Sequence, residues 1–327
     1  DENGNGELDA SEISTSTDTS GNYSFGDLEP GTYNVAQVVQ DGWQQTFPSV
    51  TTTAASVEIF TPSAPEEITT SAAPAVAGEL ISLDDFRLDE RFANVTGEGY
   101  ASVIIDTGID LDHPFFGADK DGNNIADRIV YQYDFADEDN DATDKNGHGS
   151  HVTSIIGSSD STYSGIAPDA DLIALKVFKD NGSGYFSDLE ESLQWVINNA
   201  TTYNIASVNL SLGDEKNWMS DRGRYGIADE LAALASMGIV VAAAAGNNFA
   251  EFNSRPGVAY PAADSNVISV GALRSTTGQI ADFSQRHPEL LDVFAPGIPI
   301  LGADAEGGTK SLGGTSQAAP YISGIAE

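Results

Sequence analysis

The amino-acid sequence predicts an α/β protein, in which a small β-sandwich module precedes a parallel sheet flanked by helices. Three observations favour this organisation. Short polar segments of alternating pattern fill residues 1–48, and a Thr-, Ser-, Ala- and Pro-rich stretch fills residues 49–79. From residue 80 to residue 327, apolar strand-like runs alternate with helical stretches. We therefore expect a β module, an extended linker and an α/β domain.

The N-terminal module begins with DENGNGELDASE, which fits a twelve-position calcium loop. Oxygen-bearing side chains stand at alternate positions, a glycine stands at the sharp turn, and position 7 offers a backbone carbonyl. The predicted ligands are Asp1, Asn3, Asn5, Glu7, Asp9 and Glu12. The alternative is a solvated acidic turn. The segment that follows, TSTDTSGNYSFGDLEPGTYNVAQVV, resembles B-type β-sandwich repeats of bacterial surface proteins.

The α/β domain is predicted from a series of apolar and amphipathic segments. In order they are YASVIID, HVTSIIG, DLIALKVF, DLEESLQWVINNATTY, IASVNLSLG, ADELAALASMG, IVVAAAAGN and VISVGAL. Continuous apolar strands separated by amphipathic helices indicate a parallel sheet that is covered on both faces. In such folds the functional loops lie at the carboxyl ends of the strands.

Composition excludes several classes of partner. The chain has 50 acidic and 14 basic side chains, so its formal charge of -36 repels nucleic acid and anionic lipid. Such acidity is typical of calcium-binding carboxylates or of a surface suited to a saline medium. The longest apolar run, GIVVAAAAG, is too short to span a bilayer. The first residues show no signal-peptide pattern, and cysteine is absent, so disulfides contribute nothing to the fold.

Three predicted strand ends or helix starts carry reactive side chains. Asp106 follows the strand SVIID, His148 opens a helix in NGHGSH, and Ser316 opens another helix in GGTSQAAP. A serine hydroxyl is a weak nucleophile unless an imidazole removes its proton and a carboxylate orients that imidazole. Asp, His and Ser supply these three parts, although each residue alone also has an ordinary structural explanation, as a turn residue, a packed histidine or a helix cap.

The motifs DTGID, NGHGSHV and GTSQAAP closely resemble the three signatures of the subtilases, the subtilisin-like serine proteases. The resemblance covers roughly residues 80–327 and implies a subtilisin-like domain whose C-terminal part continues beyond Glu327. It implies that Asp106 orients the base, that His148 is the general acid/base, and that Ser316 is the nucleophile. An α/β-hydrolase esterase is disfavoured because that family needs G-x-S-x-G and another order of triad residues.

The same resemblance assigns the remaining parts of the site. AAAAGNN nominates Asn247 as an oxyanion donor beside the Ser316 backbone N–H. Two segments are expected to hold an extended peptide as an added β-strand, and a third is expected to flank the main specificity pocket. These residues are Ser211, Leu212 and Gly213, then Gly182, Ser183 and Gly184, and finally Ala243, Ala244, Ala245 and Gly246.

His151 lies one helical turn after His148, which raises the alternative of a zinc site. Zinc is disfavoured because the segment lacks the Glu of H-E-x-x-H and offers no clear third ligand. His151 is expected to be a packed or hydrogen-bonded core residue.

Two further acidic loops are predicted calcium sites. In DKDGNNIAD the candidate ligands are Asp119, Asp121, Asn123, the carbonyl of Ile125 and Asp127. DFADEDNDATD resembles a calcium site of thermostable subtilases similar to thermitase, and the match implies Asp134, Asp137, Asp139 and Asp141. A solvated acidic loop is the alternative for each.

These features together predict a secreted, calcium-stabilised serine endopeptidase that acts on extended protein or peptide substrates, outside the cell or at its surface. The contrasting hypothesis is a calcium-binding surface or adhesion protein whose subtilase domain is inactive. The presence of all four catalytic residue types favours the first.

Overall fold

The computed structural model describes residues 58–59 and 74–327, with side chains from Ala77 onward. The predicted β module, and with it the calcium loop of Asp1, Asn3, Asn5, Glu7, Asp9 and Glu12, lies outside the described residues.

The strands are β1 (Glu58–Ile59), β2 (Ala101–Asp106), β3 (Ile129–Asp134), β4 (Asp171–Lys176), β5 (Gly184–Tyr185), β6 (Ile205–Leu210), β7 (Val240–Ala244), β8 (Ile268–Arg274), β9 (Val293–Ile298), β10 (Ile300–Ala303) and β11 (Thr309–Leu312). The α-helices are α1 (Pro74–Leu80), α2 (Leu83–Leu88), α3 (His148–Gly157), α4 (Phe186–Tyr203), α5 (Ala228–Ser236) and α6 (Thr315–Ile325), with a 3-10 turn at Pro114–Phe116.

The predicted parallel sheet is present and has seven strands in the order β3-β4-β2-β6-β7-β8-β9. Every neighbouring pair in it runs parallel. From β2 the chain first adds β4 and β3 on one side and then adds β6 to β9 on the other. This reversal at β2 creates the crevice beyond the strand ends in which α/β proteins bind ligands.

Helices cover both faces of the sheet, as the apolar strand sequences predict. Along β2, Val103 and Ile105 pack in the core cluster that contains residues of α4 and α5. Ile104, between them, packs in the cluster that contains Val152 and Ile156 of α3. α6 contacts β6 to β9 and α3. The alternation of β2 side chains therefore serves two cores, which explains why its six residues are all buried.

Several elements were not predicted from the sequence. β9 has the sequence VFAPGI, in which proline and glycine argue against a central strand, and the structure places it at the sheet edge where proline is tolerated. β3, IVYQYD, is the other edge and is only partly buried, so it lacks the continuous apolar run of a central strand. α1 begins at Pro74, within the stretch that we assigned to the linker; the domain division itself stays a prediction. In the described part of the chain, no helix has the length and apolarity needed to cross a membrane.

Candidate active site

Asp106 and His148 form a buried pair at the carboxyl edge of the sheet. Asp106 is the last residue of β2, and His148 is the first residue of α3. His148 Nδ1 lies 2.8 Å from Asp106 Oδ1, and the two side chains are 4% and 0% exposed. Since a carboxylate can only accept, Nδ1 carries the proton and Nε2 of the neutral ring offers a lone pair. Nε2 has no hydrogen-bond partner among the described residues.

Three side chains fix the first turn of α3, on which His148 stands. The backbone N–H groups of residues 148, 149 and 150 donate respectively to Asn146 Oδ1 at 3.3 Å, Thr107 Oγ1 at 2.9 Å and Asp144 Oδ2 at 2.8 Å. These are N–H groups that a helix cannot satisfy by itself. Gly149 must be glycine here, because a Cβ would lie 2.0 Å from the carbonyl oxygen of Gly108.

Asp144 organises this turn, although it is not among the predicted site residues. Its Oδ1 accepts from Thr107 Oγ1, from Asn146 N and from Gly147 N at 2.8–3.0 Å. Its Oδ2 accepts from both the backbone N and the Oγ of Ser150. An Asp shortly before Asn-Gly is a known turn signal, so the segment TDKNGHG offered a clue to this role.

The electrostatic setting of His148 favours its protonated form. Burial lowers the pKa of His148, but the charge of Asp106 and the hydrogen bond to it, with a further contribution from the charge of Asp144, outweigh burial and raise that pKa above its usual value. A base with this environment is stabilised as an imidazolium, the form it takes when it accepts a proton.

His151 is packed as expected. It is fully buried, and its Nε2 lies 3.1 Å from the carbonyl oxygen of Lys310, to which a protonated nitrogen donates. Burial and the neighbouring His148 lower the pKa of His151 to about 3. The ring is therefore neutral, and it joins β11 to α3.

Ser316 stands in the first turn of α6 and is 2% exposed. Pro320, inside the same helix, has no N–H to donate to the Ser316 carbonyl oxygen four residues earlier. Ser211 Oγ donates to that oxygen instead, at 2.7 Å. In the other direction, Ser316 Oγ donates to the Ser211 carbonyl oxygen at 3.2 Å. Ser211, which follows β6, thus bonds to both the backbone carbonyl and the side-chain hydroxyl of Ser316.

Of the two hydrogen bonds expected among Asp106, His148 and Ser316, only the one between Asp106 and His148 is formed. Asp106 bonds to His148, but Ser316 Oγ donates to Ser211 rather than to His148 Nε2. The physical reason is the position of the Ser211 carbonyl, which offers a nearby acceptor. Contacts of catalytic groups are often loose in the absence of substrate and tighten when substrate binds.

Asn247 lies beside the start of α6, where its amide oxygen is held by Thr315. Thr315 N and Thr315 Oγ1 both donate to Asn247 Oδ1 at 2.9 Å. This leaves the Asn247 Nδ2 donors for another acceptor, next to the backbone N–H groups of the first turn of α6. Gly246, before it, has φ +104, and a Cβ there would lie 2.1 Å from Gln285 Oε1. The turn that presents Asn247 therefore requires glycine.

The predicted substrate segments lie at strand ends near this site. Ser211, Leu212 and Gly213 follow β6, and Ala243 to Gly246 span the end of β7 and the turn after it. Gly182 and Ser183 lead into β5, which begins at Gly184. All of these residues are buried except Gly182 and Ser183.

Among the acidic loops that the structure describes, one set of carboxylates converges. Asp119, Asp121 and Asp127 are exposed, and they offer oxygens that all lie within 4.8 Å of one another. Asn123 Oδ1 accepts from Ile125 N in the same loop. Three carboxylate oxygens in one loop match the ligands that calcium prefers, so these residues fit the ion.

The other described acidic loop is arranged differently. Lys176 Nζ lies 2.9 Å from Asp134 Oδ2, and Lys179 Nζ lies 3.2 Å from Asp137 Oδ1. Asp139 and Asp141 are exposed and bond to groups of the loop itself. The carboxylates of Asp134, Asp137, Asp139 and Asp141 are not brought together in this structure, and lysine ammonium groups meet two of the four.

Comparison with known proteins identifies the family. The model of the Subtilase family matches residues 98–326, which include Asp106, His148 and Ser316. The chain belongs to the subtilase family. An alkaline serine exoprotease A of Vibrio alginolyticus is 34% identical to this subtilase over 240 residues, 73% of this chain and 40% of that protein. A subtilisin-like protease of Coccidioides posadasii is 36% identical over 241 residues, 73% of this chain and 54% of that protein.

The fold comparison agrees with the family. The crystal structure of a cold-adapted subtilisin-like serine proteinase is similar to this subtilase with a TM-score of 0.57 and 31% sequence identity. The match covers 71% of this chain and 75% of the other. The subtilisin-like α/β prediction is thus confirmed, while the chain spans about half the length of the curated relatives it matches.

Proposed function

We propose that this subtilase is a secreted, calcium-stabilised serine endopeptidase that works through Asp106, His148 and Ser316. The observation that carries the proposal is the buried 2.8 Å bond between Asp106 and His148, together with the Nε2 of that ring, which has no hydrogen-bond partner among the described residues. A neutral imidazole oriented by a carboxylate is the base that a serine nucleophile requires. Relatives named as proteases support the proposal.

In the proposed reaction, rotation about χ1 of Ser316 releases the Ser211 carbonyl and turns Oγ toward His148. Oγ attacks the peptide carbonyl carbon while His148 Nε2 takes the hydroxyl proton. The carbonyl oxygen becomes an oxyanion that accepts from Asn247 Nδ2 and from the Ser316 backbone N–H. The C–N bond then breaks, and the leaving amine takes the proton from His148. Water repeats these steps on the acyl-enzyme, which releases the acid product.

Substrate is proposed to bind as an extended strand along the backbone of Ser211–Gly213 and Gly182–Gly184. Main-chain hydrogen bonding of this kind accepts many sequences, and side-chain pockets add preference. Ala243 to Gly246 flank the proposed main pocket. Protein and peptide chains suit such a cleft, whereas nucleic acid is disfavoured by the charge of -36.

Calcium is proposed as a stabilising ion without a part in the reaction. Asp119, Asp121 and Asp127 would hold it, with Asn123 and the Ile125 carbonyl as the further ligands that the sequence suggests. An ion that binds the folded state and not the unfolded chain stabilises the fold by mass action. The calcium loops and the family resemblance together support a location outside the cell or at its surface.

Labelling with a fluorophosphonate probe, which reacts with activated serines, tests the proposal. We expect the chain to be labelled and the Ser316→Ala variant not to be. Ser323→Ala is the matched control, because Ser323 lies on the same helix and is also buried, and it should keep the label. Absence of labelling in the unmodified chain would refute the proposed activity and favour the inactive binding protein.

A further inference from the structure

One buried carboxylate folds the loop that follows a proposed substrate segment. Asp214 comes directly after Ser211–Gly213 and is buried. Four groups donate to its two oxygens: Lys216 N at 3.1 Å and Tyr260 N at 3.0 Å to Oδ1, and Trp218 Nε1 at 2.6 Å and the Tyr225 hydroxyl at 3.0 Å to Oδ2. A buried carboxylate needs such donors to be stable. Three of the four belong to residues 214–227, which end where α5 begins and which we call the brace.

Tyr225 connects the brace to the other proposed substrate segment. Its ring stacks on the ring of Phe186, with centroids 4.2 Å apart and planes at 26°. Phe186 is buried and is the first residue of α4, directly after β5. The hydroxyl of the same tyrosine accepts from Lys216 Nζ at 2.9 Å and donates to Asp214. One side chain therefore joins Asp214, beside one segment, to Phe186, beside the other.

The backbone of Tyr225 is held in an unfavourable conformation. Its φ is 56, in the left-handed region, which is rare for a bulky side chain. Such dihedrals persist where the surrounding contacts hold them, and they concentrate at functional sites. In Tyr225 the stack on Phe186 and the hydrogen bond to Asp214 supply those contacts.

A third contact joins the brace to the turn that presents Asn247. Gln285, which is fully buried, donates from Nε2 to Lys216 O and to Asn217 Oδ1, both at 2.9 Å. Its backbone N donates to Gly246 O at 2.9 Å. The brace is thus fixed beside all three groups of residues that the proposed function assigns to substrate.

We propose that Asp214 and Tyr225 are positioning residues, which set the distance between the two backbone segments along which an extended peptide binds. The inference rests on the proposed function, because it needs Ser211–Gly213 and Gly182–Gly184 to bind substrate. It goes further by assigning a part in substrate binding to two residues that lie outside both segments.

The brace acts on binding rather than on the chemical step. A peptide strand pairs with both segments only when their backbones are correctly spaced, because these hydrogen bonds need donor–acceptor distances of about 2.7–3.2 Å. Asp106, His148 and Ser316 stand on β2, α3 and α6, outside the brace. Loss of the brace should therefore raise KM for a long peptide and leave kcat unchanged, which is the pattern of lost uniform binding. Loss of one hydrogen bond weakens binding about two- to tenfold.

The variants Asp214→Asn and Tyr225→Phe test the inference. The first replaces one acceptor oxygen by an NH₂ group, and the second keeps the ring on Phe186 but removes the hydroxyl. Hydrolysis is measured with a peptide of about eight residues, which spans about 26 Å when extended, and with an ester of a single blocked amino acid, which is too short to pair with both segments. We expect both variants to raise KM for the peptide about two- to tenfold with kcat unchanged, and to leave both constants for the ester unchanged.

Tyr203→Phe is the matched control. It removes a hydroxyl from the last residue of α4, which lies about 25 Å from Phe186 along that helix. The chemical change is the same as in Tyr225→Phe, but the site is far from the brace. We expect this variant to keep the KM of the unmodified chain for both substrates.

Fluorophosphonate labelling separates this inference from the proposed function. The probe is small and needs no strand pairing, so it should label both variants as it labels the unmodified chain. If the unmodified chain is not labelled, the proposed function fails and the inference fails with it. If the proteins are labelled but KM for the peptide is unchanged, or KM for the ester rises equally, or kcat falls for both substrates, the inference is overturned while the proposed function stands. If Asp214→Asn loses the label through misfolding, the Tyr225→Phe result decides by itself.

Discussion

Asp144 offers the sharpest test of how the fold positions its base, because one buried carboxylate holds five donors. Asp144 is 4% exposed. The substitution Asp144→Asn keeps the shape of the side chain but removes its charge and replaces one acceptor oxygen by an NH₂ group. With the amide nitrogen turned toward Ser150, the Ser150 N–H loses its acceptor, while Thr107, Asn146 and Gly147 still reach an oxygen.

The expected cost follows from these contacts. A buried N–H left without a partner costs about 1–3 kcal/mol, and each of three bonds that passes from a charged to a neutral acceptor loses about 1 kcal/mol. Since such terms are not strictly additive, we expect unfolding free energy to fall by about 3–5 kcal/mol. For a domain of this size that lowers the Tm by about 6–20 °C. The rate should fall as well, because His148 stands on the turn that Asp144 organises.

Thermal unfolding followed by circular dichroism measures the stability change, and peptide hydrolysis below the new Tm measures the rate. Asp160→Asn is the matched control. Asp160 uses only Oδ1, which accepts from Thr162 N and Tyr163 N, and an amide oxygen can replace it, so we expect a change within about 0.5 kcal/mol. If Asp144→Asn is no more destabilising than Asp160→Asn, the role assigned to this carboxylate is wrong.

Three further predictions concern the reaction and the ion. Because the pKa of His148 is raised and the base must be neutral, kcat/KM should rise with pH through a pKa above the usual value of about 6.5. The variant Asp106→Asn should lower that pKa and reduce kcat about 10⁴-fold. An unchanged pH profile in this variant would contradict the pairing of Asp106 with His148. Asn247→Ala should reduce kcat about 10²–10³-fold with little change in KM, whereas a change confined to KM would argue against an oxyanion donor. Calcium at about 100 times its Kd should stabilise the chain by about 2.7 kcal/mol, and Asp121→Asn should weaken that response in thermal unfolding while Asp160→Asn should not; an equal response in all three proteins would place the ion elsewhere.

The sequence was informative wherever function depends on local pattern. Apolar strand runs and amphipathic helices indicated a doubly covered parallel sheet, and the structure confirms that fold. The motifs around Asp106, His148 and Ser316 indicated strand-end and helix-start positions, where the structure places them.

What the sequence left out depends on partners far apart in the chain. Lys176 meets Asp134 across neighbouring strands, a contact that the acidic run alone does not reveal. The bond from Ser316 to Ser211 depends on a rotamer and on how α6 docks against β6. The pairing of β1 with β5 joins segments with no shared pattern. No local periodicity encodes such contacts.

The position of α6 in the chain determines the order in which the parts of the candidate site are synthesised. Every strand of the central sheet precedes Thr315, the first residue of α6, which then settles against β6 to β9 and α3. Asp106 and His148 are thus made long before the serine that they are proposed to serve. A polypeptide still leaving the ribosome therefore carries the proposed base before its proposed nucleophile, so the proposed reaction cannot begin before α6 has been made.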